Sequence, residues 1–232
     1  MFKFVVFADS RTGGTHLVSS LKSHPQIACV SEPFPHNKLD THEAQVKWSN
    51  FFFADREQKG MPTGGFRLKV KQLADPAAFA AYLGERDILP LRLTRRNVVK
   101  QAVSRLRAIA LFHESGDYNV KAEKKPLGAT RIEAQALLNQ INELLELKQR
   151  ETDFFELLTH PEKAELIYED MLADQRAFFS SLYSRLQTTA DHVPKSNVKK
   201  NTSNSLEKSI LNFDELLDAL KGTPFEAMLT ES

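Results

Sequence analysis

The sequence has few of the features that define several protein classes. It contains one cysteine, Cys29, in an apolar stretch, which excludes an internal disulfide framework and a cysteine-rich zinc site and predicts a buried, unreactive thiol. No stretch approaches the roughly 20 apolar residues of a membrane-spanning helix. Basic residues number 31 and acidic residues 30, whereas a protein that coats nucleic acid is usually strongly basic. We therefore expect a soluble, cytoplasmic protein with no nucleic-acid partner and no membrane span.

The apolar content is high enough for a folded core. Hydrophobic residues make up 41% of the 232 residues, and 16 of them are Phe. A chain of this length and composition fits one globular domain over residues 1–232 rather than a disordered segment.

Short apolar runs alternate with segments of helical spacing, which predicts an α/β fold with a mainly parallel central sheet. Residues 35–64 show no such pattern and are expected to be irregular. Sheets of this kind bind ligands beyond the carboxyl ends of their strands. The predicted strands cover residues 2–8, 27–30, 66–70, 88–93 and 164–168. The predicted helices cover residues 17–21, 76–83, 99–110, 134–145, 169–172, 177–186 and 206–220, and the fourth of them could continue toward residue 158.

The turn after the first predicted strand has the composition of an anion-binding loop. Gly13 and Gly14 allow close approach of the backbone to a ligand, and Arg11 offers a planar donor fork suited to phosphate or sulfate. An ordinary glycine turn is the alternative. The loop is not a Walker A sequence, because no Lys follows Gly14. The hydroxyl residues of the same loop are Ser10, Thr12 and Thr15.

Three sequence blocks in the first 34 residues resemble the start of the sulfotransferase superfamily. They are residues 11–15 (RTGGT), His24-Pro25 and residues 31–34 (SEPF). The E-P-F element in the last block is similar to that of bacterial enzymes of the trehalose sulfotransferase type. The family's first loop usually carries a hydroxyl residue where this chain has Gly14.

A second group of blocks resembles the rest of the same family. Arg96 is followed eight positions later by Ser104, a spacing similar to that of the family's 3′-phosphate site. Residues 167–170 are similar to the end of the family's next strand. Residues 199–201 and 212–216 are similar to its C-terminal cofactor loop and the helix after it.

The resemblance implies a P-loop-like three-layer fold and an activity. Family members transfer a sulfuryl group from 3′-phosphoadenosine-5′-phosphosulfate (PAPS) to a hydroxyl or amine and release PAP. The acceptor implied is a small molecule, a carbohydrate or another hydroxyl-bearing compound, and the sequence leaves it and the oligomeric state open. The alternatives are a P-loop-like small-molecule kinase and a non-catalytic nucleotide-binding protein of the same fold.

The resemblance also implies roles for individual residues. Arg11 would stabilise the leaving phosphate, and Glu32 would act as general base after burial and neighbours raise its pKa. His36 is the alternative base. No metal site is expected, because no spacing of His, Asp and Glu suggests one. The 5′-phosphosulfate would be held by Arg11, Thr12, Gly13, Gly14 and Thr15, and the 3′-phosphate by Arg96 and Ser104 with Lys199, Lys200 and Asn201.

Several of these assignments have simpler alternatives. Arg11 could pair with Asp9 or Glu32 at the surface, and Arg95 could take the place of Arg96. Lys69 and Lys71 alternate along a predicted strand and are expected to point to one side, toward an anion or toward solvent.

The near-neutral total charge conceals an uneven distribution. Residues 91–113 carry six basic residues and no acidic one, while residues 131–170 carry ten acidic and four basic residues. The basic segment includes the Arg96 and Ser104 motif, which favours a compact anion site over a nucleic-acid surface.

Overall fold

The computed structural model of the protein describes residues 1–34, 39–116, 128–196 and 205–231. Within these residues, one five-stranded sheet has the strand order β2-β3-β1-β4-β5, and every neighbouring pair is parallel. The prediction of an α/β fold with a parallel sheet is confirmed. The strands are β1 (Phe2–Phe7), β2 (Ile27–Ser31), β3 (Thr63–Leu68), β4 (Leu89–Thr94) and β5 (Ala164–Ile167).

The described residues also form helices between and after the strands. They are α1 (Gly14–Lys22), α2 (His42–Gln58), α3 (Pro76–Glu85), α4 (Val98–Ser115), α5 (Ala134–Leu157), α6 (Tyr168–Ala173), α7 (Gln175–Arg185), α8 (Phe213–Leu220) and α9 (Glu226–Thr230), with a 3₁₀ turn at Val70–Gln72. Among these helices, none combines the length and the hydrophobicity needed to cross a membrane.

The chain divides into two compact units. The first comprises Met1–Arg96 and Gln149–Ser196, and it contains the whole sheet. The second comprises Asn97–Lys148 and the described part of Asn197–Ser232.

The first unit has three layers, since helices cover both faces of its sheet. The central strands are apolar on both faces, as expected for a parallel sheet covered on two sides. Phe4 and Val6 of β1 pack on one side with residues of α1, α6 and α7. Val5 and Phe7 pack on the other side with α2, α3 and the end of α5. Cys29 is buried in the first of these layers, and burial raises the pKa of its thiol to about 12. This burial matches the expectation of an unreactive thiol.

The second unit is helical and has its own apolar core, formed by residues of α4, α5, α8 and α9. Asn97 caps α4, since its side chain accepts a hydrogen bond of 2.7 Å from the amide of Lys100. Arg107 is buried and donates to the carbonyl oxygens of Gly128 and Ser209 at 3.0 and 2.6 Å. These bonds hold the segments at Gly128 and Ser209 against α4.

The expectation that residues 35–64 are irregular is wrong, because this segment contains the 17-residue helix α2. Thr41 caps the helix by accepting a hydrogen bond from the Ala44 amide at 3.2 Å. Trp48 and Phe52, one turn apart, stack with ring centroids 5.3 Å apart. The exposed Phe51 directly precedes the buried Phe52 and Phe53 and obscures the apolar stripe.

Two further expectations need correction. Strand β3 ends at Leu68, so Lys69 lies after it and Lys71 lies in the 3₁₀ turn; the two lysines therefore do not alternate along a strand. The helix expected over residues 206–220 begins only at Phe213. Leu206 and Ile210 are buried in the second core without being helical, which explains the helical spacing of apolar residues.

Candidate functional site

The loop between β1 and α1 lies at the carboxyl end of the sheet and turns sharply. Arg11 and Gly13 both have left-handed backbone conformations, with φ of 65° and 90°. The hydroxyl of Thr12 donates to the carbonyl oxygen of Asp9 at 2.7 Å and closes the turn. Gly13 is the N-cap residue of α1 and provides no side-chain cap. The first amides of the helix therefore have no capping side chain, an arrangement that suits an anion.

Both loop glycines are in contact with side chains from other elements. A Cβ atom on Gly13 would overlap the ring of Tyr168, and one on Gly14 would overlap Nε of Arg67 and lie 2.8 Å from its Cδ and Cζ. The glycines therefore also allow the loop to pack closely on Tyr168 and Arg67.

Two arginines lie together at this loop, and Arg95 is buried while Arg11 is partly buried. Arg95 is 7% exposed and donates through Nη1 to the carbonyl oxygen of Arg11 at 3.2 Å. Its guanidinium lies 4.7 Å from the ring centroid of Tyr168. Burial lowers the pKa of Arg11, and the charge of Arg95 lowers it further. Burial likewise lowers the pKa of Arg95, which Tyr168 and Glu169 partly offset.

Arg95 has little compensating negative charge among the described residues around it. Its ion pair with Glu169 is long, with 3.9 Å between Nε and Oε1, and Nε has no hydrogen-bond partner among the described residues. Both carboxylate oxygens of the buried Asp9 also lack a described hydrogen-bond partner, so Asp9 does not hydrogen-bond to Arg11. Added negative charge would stabilise such a cluster.

The structure separates the roles of the adjacent residues Arg95 and Arg96. Arg95 is turned toward the first loop, whereas the side chain of Arg96 is 61% exposed. Arg96 forms a bidentate pair with Asp170, at 2.7 and 3.0 Å, and its amide donates to Glu169 at 3.0 Å. Ser104 is buried within α4 in the second unit. His36, Lys199, Lys200 and Asn201 lie outside the described residues.

Glu32 follows β2 and is held by two cations. Its carboxylate oxygens lie 2.9 Å from Nη1 of Arg67 and 2.9 Å from Nζ of Lys69. Its backbone has a left-handed φ of 51°, directly before Pro33, and such conformations cluster at functional sites. Burial raises the pKa of Glu32, but the charges and hydrogen bonds of Arg67 and Lys69 lower it by more. The expectation of a raised pKa is therefore wrong, because the sequence did not reveal these two partners.

Arg67 is the site residue that the sequence analysis missed. It is 3% exposed and stands in a strand whose other residues are apolar, small or a buried threonine. A single charged residue within such a run was the available signal. His16 lies at the start of α1. Its Nε2 is 3.3 Å from Nε2 of Gln175, and burial lowers the pKa of His16. This contact joins α1 to α7.

The fold is similar to that of a sulfotransferase from Alicyclobacillus acidocaldarius. The TM-score is 0.50 at 13% sequence identity, over 99% of this chain and 96% of that one. The sulfotransferase domain from the curacin biosynthetic pathway gives a TM-score of 0.41 at 14% identity, over 100% of this chain and 84% of that one, which is too weak to support an argument. No protein-family model and no curated protein sequence matches the chain. The first of these structural likenesses shows that the chain has a sulfotransferase-like fold.

Proposed function

We propose that the protein transfers a sulfuryl group from PAPS to a hydroxyl or amine of an acceptor and releases PAP. The observation that carries the proposal is the pair of poorly solvated arginines, Arg11 and Arg95, at the β1–α1 loop. The charge of Arg95 disfavours the charged form of Arg11, and a multiply charged anion beside both side chains would offset this repulsion. A phosphosulfate bound at the start of α1 would supply that charge.

The loop residues fit the 5′ end of this donor. The amides at Gly13, Gly14 and Thr15 precede or begin an uncapped helix. The hydroxyl of Thr12 donates to the carbonyl oxygen of Asp9, so this side chain stabilises the turn. The backbone amide of Thr12 would then be the group that binds the donor. Arg11 would add the permanent positive charge.

In the proposed reaction, the acceptor oxygen forms a bond to sulfur as the bond between sulfur and the bridging phosphate oxygen breaks. Glu32 accepts the acceptor's proton, and Arg11 stabilises the charge that develops on the leaving phosphate. PAP departs with the electron pair of the broken bond. The low pKa of Glu32 keeps it ionised and ready to accept a proton, although it makes Glu32 a weaker base.

The remaining parts of the proposal concern the 3′-phosphate, the acceptor and the type of enzyme. Arg96 and Ser104 would bind the 3′-phosphate, with Lys199, Lys200 and Asn201 closing over it. The acceptor is a small molecule, a carbohydrate or another hydroxyl-bearing compound. We further propose that residues 1–232 act as one sulfotransferase-like domain in the cytoplasm, similar to trehalose-type enzymes with an E-P-F element.

The role of Arg96 can be tested by selective loss of affinity. Arg96→Ala should weaken PAP binding about tenfold or more, because a charge-assisted hydrogen bond is lost, while binding of 5′-AMP, which lacks the 3′-phosphate, should hardly change. Calorimetric titration with both nucleotides measures the difference.

The partner of Arg96 provides the matched control. Asp170→Asn removes the carboxylate that now engages Arg96, so PAP affinity should stay the same or increase. Equal weakening of PAP and 5′-AMP binding in Arg96→Ala would contradict the assignment.

The transfer reaction itself is tested with PAPS carrying labelled sulfur and a panel of carbohydrate, small-molecule and lipid hydroxyls. The proposal predicts label on at least one acceptor and release of an equal amount of PAP. Transfer of phosphate from ATP to the same acceptors, with none from PAPS, would overturn it.

A further inference from the structure

Arg67 connects three segments at the carboxyl end of the sheet. From β3, which lies between β2 and β1, its guanidinium donates through Nη2 to the carbonyl oxygen of Ala8 at 3.0 Å. Through Nη1 it donates to Oγ of Ser31 at 3.1 Å and to Oε1 of Glu32 at 2.9 Å. One buried side chain thus joins the start of the β1–α1 loop to the end of β2.

The same side chain also packs against the start of α1. The site that a Cβ atom of Gly14 would occupy is filled by Nε, Cδ and Cζ of Arg67. Nε is buried and has no hydrogen-bond partner among the described residues. The absence of a side chain at residue 14 is therefore what allows the guanidinium to lie beneath the loop while both of its Nη groups are engaged.

The backbone reinforces this connection. The amide of Glu32 donates to the carbonyl oxygen of Arg67 at 2.6 Å, so Arg67 holds Glu32 through both its main chain and its side chain. Glu32 keeps a left-handed φ, which costs free energy and persists only where the surrounding contacts enforce it. Lys69 adds an ion pair to the second carboxylate oxygen.

We propose that Arg67 is a positioning residue that fixes the carboxylate of Glu32 against the β1–α1 loop, and that Gly14 and Arg67 form a matched pair in which one residue makes room for the other. The inference rests on the proposed function, because it treats Glu32 as the base and the loop as the donor site. Arg67 hydrogen-bonds to Glu32 and to the start of the loop, and it acts on the reaction through them. It sets the separation between them, on which an in-line transfer depends.

The matched pair is tested first by stability. Gly14→Ala in the wild-type chain should lower the midpoint of thermal unfolding by more than about 4 °C, because the new Cβ overlaps a guanidinium with no free space around it. In an Arg67→Ala background the same substitution should cost little, since the overlapping atoms are gone. Equal costs in the two backgrounds would overturn the pairing.

The positioning role is tested by titrating the Glu32 carboxyl by NMR, with Glu32→Gln used to assign its signal. Three influences set the pKa of that carboxyl: burial raises it, and Arg67 and Lys69 lower it. Arg67→Met should raise the pKa of Glu32, because the charge of Arg67 lowers this pKa more than the charge of Lys69 does. Arg67→Lys should return the pKa toward the wild-type value, because it restores a positive charge.

Arg92→Met is the matched control for these titrations. Arg92 is a largely buried arginine of the same sheet, paired with Glu165 at 2.9 Å and hydrogen-bonded to Thr152 at 2.9 Å, but it does not contact Glu32. Its substitution should leave the pKa of Glu32 unchanged. An unchanged pKa in Arg67→Met, or the same change in Arg92→Met, would overturn the positioning role.

These two tests need no donor and no turnover, so they are separable from the proposed function. If both succeed and no acceptor is ever sulfated, the connection by Arg67 stands and the proposed reaction fails. If transfer is found, Arg67→Met should lower kcat about 10- to 100-fold through misplacement of Glu32. Normal kcat in that variant would overturn the role of Arg67 and leave the reaction intact.

Discussion

Glu32→Gln is expected to lower kcat by about 10²- to 10⁴-fold, the contribution of a general base. PAP affinity should stay within about threefold of wild type, because uncharged glutamine keeps the size of glutamate and its oxygen still accepts hydrogen bonds from Arg67 or Lys69. Rates of PAP release, measured with any acceptor found by labelled transfer, and calorimetric titration with PAP give the two quantities.

The pH dependence of activity in the wild type and in Glu32→Gln gives a second test of Glu32 as the base. Because Arg67 and Lys69 hold the pKa of Glu32 below its ordinary value, the wild-type enzyme should keep its activity to lower pH than an unperturbed glutamate would allow. Activity should then fall as the pH drops through the folded pKa and Glu32 becomes protonated. Glu32→Gln should abolish this acid limb.

A matched control separates this effect from a general loss of charge. Glu165 is also a carboxylate at the sheet that pairs with an arginine, Arg92, at 2.9 Å. Glu165→Gln should change kcat less than about threefold, in the range of ordinary surface substitutions. A turnover of Glu32→Gln equal to that of Glu165→Gln would remove Glu32 as the base.

Arg11→Met should lower kcat by about 10²- to 10³-fold, the loss seen when one donor to a developing oxyanion is removed. PAP affinity should fall as well, since Arg11 would contact the 5′-phosphate in both substrate and product. Steady-state rates and calorimetry on the same preparation distinguish the two effects.

Arg86→Met supplies the comparison for Arg11→Met, because Arg86 is an exposed arginine at the end of α3, outside the loop. It should match wild type in both measurements. A preparation of Arg11→Met that retains wild-type kcat and PAP affinity would show that the β1–α1 loop does not bind the donor.

The elements that the sequence predicted correctly are those fixed by local signals. The apolar run of β1 and the loop after it were clear because a central strand of a parallel sheet is apolar on both faces. Helix α3 was clear because Asp75 and Pro76 mark its start, and Asp75 does cap it through the amide of Ala78 at 2.9 Å.

The missing elements depend on contacts between distant parts of the chain. Helix α2 has no clean apolar stripe, and its aromatic side chains pack with Phe34 and Phe66 from other elements. Adjacent residues Arg95 and Arg96 look equivalent in sequence, yet Arg95 packs against the first loop while Arg96 pairs with Asp170.

The sequence predicted the first loop of the candidate site but not Arg67, which holds the loop and Glu32 together. Residues 11–15 and Glu32 carried recognisable motifs. Arg67, 35 residues after Glu32 in sequence, became visible only when β2 and β3 were paired in register, with Ser31 opposite Arg67. The sequence showed only that Gly14 stands where the family usually has a hydroxyl residue, whereas the structure shows that the space beside Gly14 holds the Arg67 guanidinium.

Calorimetric titration of the wild-type protein with PAP, ADP and ATP tests the central claim most directly, because it needs no knowledge of the acceptor. The account predicts that PAP binds more than about tenfold tighter than ADP or ATP, since only PAP carries a 3′-phosphate, and each charge-assisted contact to it contributes about that much. Tighter binding of ATP than of PAP, or no binding of PAP, would contradict it.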